Sequence, residues 1–307
     1  MTEELQKKKK ILAKVCGALL AVLALLTVLI SMNVFGRLPN RNAQTLKESA
    51  NNENQSLSKD ATATPVSTVE SNTNDDDNVC SLTDVKVGDA ELNELAKNQN
   101  LRTLKLVHCT FAGQLSTKLP VETVYVSNSE VNANVIAFIA SSPSVKCAEF
   151  FTCDFQPSAL RALKFSRISW LQIRNCKVLS SNNSFSATDI ADISAMPYLK
   201  HLELERSQIA ANTLGAINKS AVQVANLRDC GLTDTDLAKI SKTLSLRYLN
   251  ILSNPKLSVG GVRKLLQAPN LQHVKCDLDF SQIALSPVER QQTDAASYHV
   301  PSSFYRK

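Results

Sequence analysis

The residues of this chain whose types could do chemistry are its eight cysteines, its four histidines and one cluster of paired carboxylates. Glu203, Glu205 and Arg206 stand together in HLELER, and Arg228 and Asp229 follow in NLRDC. Two carboxylates at alternate positions could share acid–base work. The same pattern also describes a solvated, charged strand face with cross-strand ion pairs, and that reading is preferred. No C-x-x-C pair is present, and Cys147-x5-Cys153 is not a zinc spacing. G-x-S-x-G and H-E-x-x-H are absent; Gly260–Gly261 reads as a lone pair in a turn, and eight glycines in the whole chain leave no phosphate-cradling loop. The expectation is therefore a protein that is not an enzyme and that uses no metal and no cofactor. A different set of residues suits recognition: the aromatics Tyr125, Phe151, Trp170 and Tyr248, with Arg174, are of the types that dominate binding interfaces.

What must position these residues is a repeat. LRTLKLVHCTF has apolar residues at Leu101, Leu104, Leu106, Cys109 and Phe111, a spacing that neither a plain strand nor a helix would show. The pattern returns in VETVYVSNSEV, VKCAEFFTCDF, ISWLQIRNCKV, LKHLELERSQI, VQVANLRDCGL and LRYLNILSNPKL, with a truncated last copy in LQHVKCDLDF and a weaker first one at Cys80, Leu82, Val85 and Val87. Copies start at 101, 121, 145, 168, 199, 222, 246 and 271, so most spacings are 23 to 25, one is 20 and one is 31. Each copy is expected to place a short strand, then a turn sealed by a small inward residue at the Cys109 position. A helical return follows, marked by the pairs Val135 with Ile139, Leu160 with Leu163, Leu214 with Ile217, Leu237 with Ile240 and Val262 with Leu265. No copy can bury its apolar face alone, so the copies must stack. The 20-residue copy, which contains Pro120, is expected to lack a full helix, and 179–194 is expected to form a loop in the longest copy.

The motif and its period resemble the leucine-rich repeat family, and within it the cysteine-containing and ribonuclease-inhibitor-like types, over residues 79–280 in about eight to nine repeats. The resemblance implies an α/β solenoid: a curved parallel sheet on the concave side, helices on the convex side. It also implies that the concave face binds a protein or peptide. Reading the outward strand positions in turn puts Tyr125, Phe151, Trp170, Arg174, Glu203, Arg228 and Tyr248 on that face. Tyr125, Phe151, Trp170 and Arg174 fall on three consecutive strands. His108, His201 and His273 fall on the second, sixth and ninth strands and cannot meet. Cys109, Cys153, Cys176 and Cys230 take the turn position as buried packing thiols. Cys153 and Cys176 come from neighbouring repeats, about 5 Å apart between strands, a distance that would also permit a disulfide.

The N-terminal region has another logic. Residues 1–10 form a basic tail ending in four lysines, and the run from Val15 to Phe35 carries no charge. As a helix it would cross a hydrocarbon core of roughly 30 Å. Soluble helices are rarely apolar on every face, and SMNVFGRLPN has no small-x-small cleavage site. Residues 11–35 are therefore read as an uncleaved transmembrane signal anchor in the lipid bilayer. The lysines on its N-terminal side place the tail in the cytoplasm and the repeats outside it. Residues 36–78, rich in Asn, Ser, Thr, Asp and Glu, read as a disordered polar linker with a reach of about 35 Å. Residues 281–307 are a tail or a cap. The formal net charge is +6, but no stripe of Lys and Arg interleaved with aromatics appears in the chain, so nucleic acid is not an expected partner. Two alternatives to recognition of a partner remain. One is a surface scaffold built by self-association; the other is an adaptor to a degradation or signalling enzyme, which would require a cytoplasmic head.

Overall fold

Alternate apolar residues make each motif copy a strand, because only in a strand do residues i and i+2 reach the same side. In the computed structural model these strands are β1 Val79–Thr83, β2 Thr103–Val107, β3 Thr123–Ser127, β4 Cys147–Phe151, β5 Trp170–Arg174, β6 His201–Glu205, β7 Val224–Asn226, β8 Tyr248–Asn250 and β9 His273–Lys275. The structure describes residues 78–180, 182–280 and 285–294, all within one compact unit, Thr64–Lys307. The basic tail, the anchor expected at 11–35 and nearly all of the linker lie outside the described residues. Among the described residues no helix is long and apolar enough to cross a membrane.

The nine strands form one parallel sheet whose order is the order of the chain. Equivalent motif positions are in register: Leu104 lies beside Val124, Val124 beside Ala148, and Ala148 beside Leu171. Such a sheet, with a return segment after each strand, is a repeat solenoid. The returns are helices α1 Asp89–Ala96, α2 Ala133–Ser141, α3 Ala187–Ser194, α4 Asp234–Ile240 and α5 Val259–Leu265, with 3-10 helices at Ala159–Phe165 and Leu214–Lys219. Every expected pair is buried, including Val135 with Ile139 and Leu237 with Ile240, in one continuous core shared with the inward strand residues. The last helix among the described residues, α6 Pro287–Thr293, packs on β9, and Gln292 Nε2 donates to the Leu271 carbonyl at 2.6 Å. That segment of the C-terminal region covers the end of the sheet.

The residue at the Cys109 position explains why the motif slips there. It follows a non-glycine residue in the left-handed region, as at His108 (φ 52°), Asn128 (φ 49°), Thr152 (φ 53°) and Asp229 (φ 54°), and this reverses the chain. The reversal leaves backbone N–H groups facing the interior, and the next repeat satisfies them. Cys109 N–H donates to Ser129 Oγ at 2.9 Å, Cys176 N–H to Ser207 Oγ at 3.1 Å, and Cys230 N–H to Asn254 Oδ1 at 3.1 Å. Side chains at this position in turn donate to strand carbonyls of the preceding repeat: Cys109 Sγ to Leu82, Ser207 Oγ to Ile173, Cys230 Sγ to Leu204, Asn254 Nδ2 to Leu227. Small side chains that both donate and accept form a ladder through the core. Cys153 and Cys176 belong to it as thiols, with Cys153 N–H donating to Cys176 Sγ at 3.3 Å. Burial raises the Cys230 thiol to about 12, so it stays protonated and donates.

Two expectations are corrected. The long copy is not a loop over 179–194, because α3 supplies its regular helix, started by a capping box between Ser186 and Asp189. Its extra residues end at Phe185, which bridges to Ile209 and packs edge-on against Phe155 at 5.7 Å, filling the core. Gly260–Gly261 is not a turn but the first turn of α5. At Gly261 the Asp234 carboxylate of the preceding repeat occupies the space where a Cβ would stand. The short copy does lack a helix, as expected, and Asp89 at the start of α1 ties its loop down instead. That carboxylate accepts from Ser116 N–H and Oγ at 2.7 and 2.6 Å and from Thr117 N–H at 3.1 Å. The Ser116 hydroxyl, then the two amides, hold Asp89 down to about 2. A depressed carboxyl contributes stability that is complete above its unfolded value and is lost as pH falls toward 2. We expect Asp89→Ala to be less stable than the parent at pH 7, with the difference closing between about pH 4 and pH 2. Urea denaturation at both ends of that range would show it, and a pH-independent difference would remove the ionised Asp89 carboxylate as the cause.

Candidate functional site

The face of the sheet turned away from the helices carries the outward positions in three rows. At the strand starts lie Cys147, Trp170, His201, Val224, Tyr248 and His273. The middle row runs through Tyr125, Glu149, Gln172, Glu203 and Asn226. The third row runs through Ser127, Phe151, Arg174 and Glu205. A residue's row decides its neighbours, because along a strand four residues span about 13 Å.

The expected recognition residues therefore divide into two groups. Tyr125 and Phe151 stack with ring centroids 5.0 Å apart, and the Arg174 guanidinium lies 5.4 Å from the Phe151 centroid. Arg174 Nη2 is 2.6 Å from Glu203 Oε1 and its Nε is 3.5 Å from Glu205 Oε2, while Arg228 Nη1 meets Glu205 Oε1 at 3.5 Å. Trp170 does not join this group. It starts its strand, whereas Arg174 ends it, and it stacks on His201 at 4.4 Å. Tyr248, expected on the accessible face, is only 6% exposed and stacks on His273 at 5.3 Å. His108 lies in the turn after β2, 3.6 Å from Asp84, so the three histidines do not meet.

Glu203 is the clearest departure from expectation. The carboxylates were expected on a solvated face, yet Glu203 is only 4% exposed. Its neighbours explain how a charge stands there. Asn226 Nδ2 donates to Oε1 at 3.0 Å, Arg174 Nε donates to the same oxygen at 2.7 Å, and His201 Nε2 lies 3.9 Å from Oε2. Burial pushes this carboxyl up, but His201, the Arg174 charge and Gln172 together bring it below its ordinary value. Glu203 thus holds Arg174 over Phe151 from beneath. Beside it, Asn226 Oδ1 and Arg228 Nε are buried atoms with no hydrogen-bond partner in the described structure. A charge supported from below was not visible in HLELER itself. Its signal was the register that places Arg174, Gln172 and Asn226 beside Glu203 on the flanking strands.

Comparison with known proteins adds little. No protein-family model matches the sequence, and no curated protein matches it. Among solved structures, a chain of the octameric complex of Latrophilin 3 (Lec, Olf), Unc5D (Ig, Ig2, TSP1) and FLRT2 (LRR) aligns over 64% of this chain and 74% of its own, at 13% identity and a TM-score of 0.35. A likeness of that size carries no argument about function.

Proposed function

We propose that the protein is a non-catalytic recognition module of the leucine-rich repeat type, with the cysteine-containing form of the repeat. It binds a protein or peptide segment on the outward face of the sheet. The observation that carries this reading is the Tyr125–Phe151–Arg174 stack, a half-buried aromatic and cationic cluster braced by the buried Glu203. Braced side chains lose little freedom on binding, which favours affinity. The uncharged run from Val15 to Phe35 supports display of this head from a membrane, outside the cytoplasm.

The test is selection of a random peptide library on the immobilised full chain, followed by titration of the enriched peptides against variants. Phe151→Ala should weaken them by about tenfold or more. Trp170→Ala, at the other end of its strand, should weaken only those long enough to reach it. Peptides that bind the Phe151→Ala protein as well as the parent would sink the assignment of this face.

A further inference from the structure

The parallel topology sorts charge in a way the linear sequence conceals. Every strand of the sheet starts at one edge, and every return helix between strands ends there. Residues that lie between a helix and the next strand therefore share one rim, however far apart they are in the chain. That rim carries Lys146, Arg167, Lys200, Lys219 and Lys242, all exposed. Among the described residues none of these five has a carboxylate within ion-pair distance. Of the acids near the rim, Glu94 pairs with Lys97 at 2.6 Å and Glu122 with Arg102 at 3.8 Å, while Asp192, near the end of α3, pairs with no cation among the described residues. The opposite rim, where strands end and helices begin, is mixed in charge: Asp84, Glu130, Asp154, Asp229 and Asp277 stand among Lys86, Lys177, Arg206 and Lys256.

The basic rim also carries apolar side chains out of place in water. Phe165, Tyr198 and Leu244 are 77%, 55% and 64% exposed. Each lies between a return helix and a strand, Phe165 as the last residue of its 3-10 helix. The Lys164 ammonium sits 5.1 Å over the Phe165 ring. A cleft of about 550 Å³ is lined by residues of α3 and of Leu214–Lys219, including Lys219 itself, and by Pro197, the residue before Tyr198.

We propose that this rim rests on an anionic lipid surface. Its lysines and arginine would meet headgroup phosphates and carboxylates, while Phe165, Tyr198 and Leu244 enter the headgroup layer. Charge complementarity argues for an anionic occupant. Apolar residues projecting singly between basic ones suit the boundary between headgroup and acyl chain. Phe165 and Tyr198 could also stack on bases, whereas Leu244 could not, and the experiment separates the two occupants. The inference uses no property of residues 11–35 and holds whether or not they cross a membrane.

The experiment places a reporter on the rim of the full chain. A Phe165→Trp variant is mixed with vesicles of brominated phosphatidylcholine, with and without phosphatidylserine, and its fluorescence is followed; Trp170, on the sheet face, is the constant background. Quenching that requires phosphatidylserine is the expected result. In the quadruple variant Lys146→Glu, Arg167→Glu, Lys200→Glu, Lys219→Glu, the lipid concentration for half-quenching should rise by about a hundredfold or more. A Tyr198→Trp variant repeats the measurement should the first reporter perturb folding, which circular dichroism would reveal. Flotation of the vesicles reports attachment through any segment, the expected anchor included, so flotation without quenching overturns the rim and leaves the anchor standing. Equal quenching on phosphatidylcholine alone, or quenching indifferent to charge reversal, also overturns it. A spectral change produced by duplex DNA or polyglutamate but not by vesicles would give the rim to an acidic macromolecule instead.

Discussion

Asn254→Leu should lower the unfolding free energy by about 3–5 kcal/mol, the largest effect of any single polar side chain in the repeats. Leucine matches asparagine in size but not in bonding. Asn254 accepts from the N–H groups of Cys230 and Leu232 and donates to the carbonyls of Leu227, Ile251 and Leu252, while only 5% exposed. Each buried N–H left without a partner costs about 1–3 kcal/mol, and an apolar replacement leaves both orphaned. Repeats contact only their neighbours, so the loss is local to the β7 and β8 repeats. Urea denaturation followed by circular dichroism should show either a lower midpoint or a separate early transition of the last repeats. A loss below about 1 kcal/mol would mean that the ladder is dispensable and that the turns close by packing alone.

Arg174→Ala should cost about 2–4 kcal/mol at pH 7, because it removes one of the partners that, with His201 and Gln172, bring Glu203 below its ordinary value, and leaves the burial that raises it. The half-exposed position of Arg174 keeps the figure toward the lower end of the range for a broken buried pair. The pH dependence distinguishes this cause from lost packing against Phe151. In the parent the folded carboxyl lies below its unfolded value. Its contribution is complete above the unfolded pKa and is lost as pH falls through the folded one. In the variant the folded carboxyl rises, so acid relieves the penalty. The two proteins should therefore converge in stability as pH falls, and Glu203→Gln should remove the convergence. A penalty that is constant with pH would assign the loss to the Phe151 contact.

The strands and their order were legible in the sequence because apolar alternation is a direct image of burial, and a near-constant period leaves one way to stack them. The sealing role of Cys109 was legible for the same reason. The turn residues were not. His108, Thr152 and Arg206 adopt positive φ without glycine, held there by a ladder that belongs to the neighbouring repeat. The helix starts could have been found: Thr233 with Asp236 and Ser186 with Asp189 are capping boxes at the expected spacing. The shared face of the candidate residues was legible, and their division into rows was not drawn from it. Trp170 and Phe151 share a face, but one starts its strand and the other ends its own, a separation visible by counting residues. Glu203 was misread because one strand alone does not reveal what leans over it.

The ladder also gives the molecule a direction in time. Each turn offers N–H groups that are met by a side chain about one repeat later in the chain, as Cys109 is met by Ser129 and Cys230 by Asn254. A chain leaving the ribosome would thus always hold one incomplete turn at its growing end, satisfied when the next repeat emerges and docks. Because every strand pairs with its predecessor, no strand waits for a distant partner, and folding can keep pace with synthesis. Among the described residues α6, with Gln292 reaching back to Leu271, closes the series, so synthesis stalled before residue 287 would release a head without that cover on its last repeat.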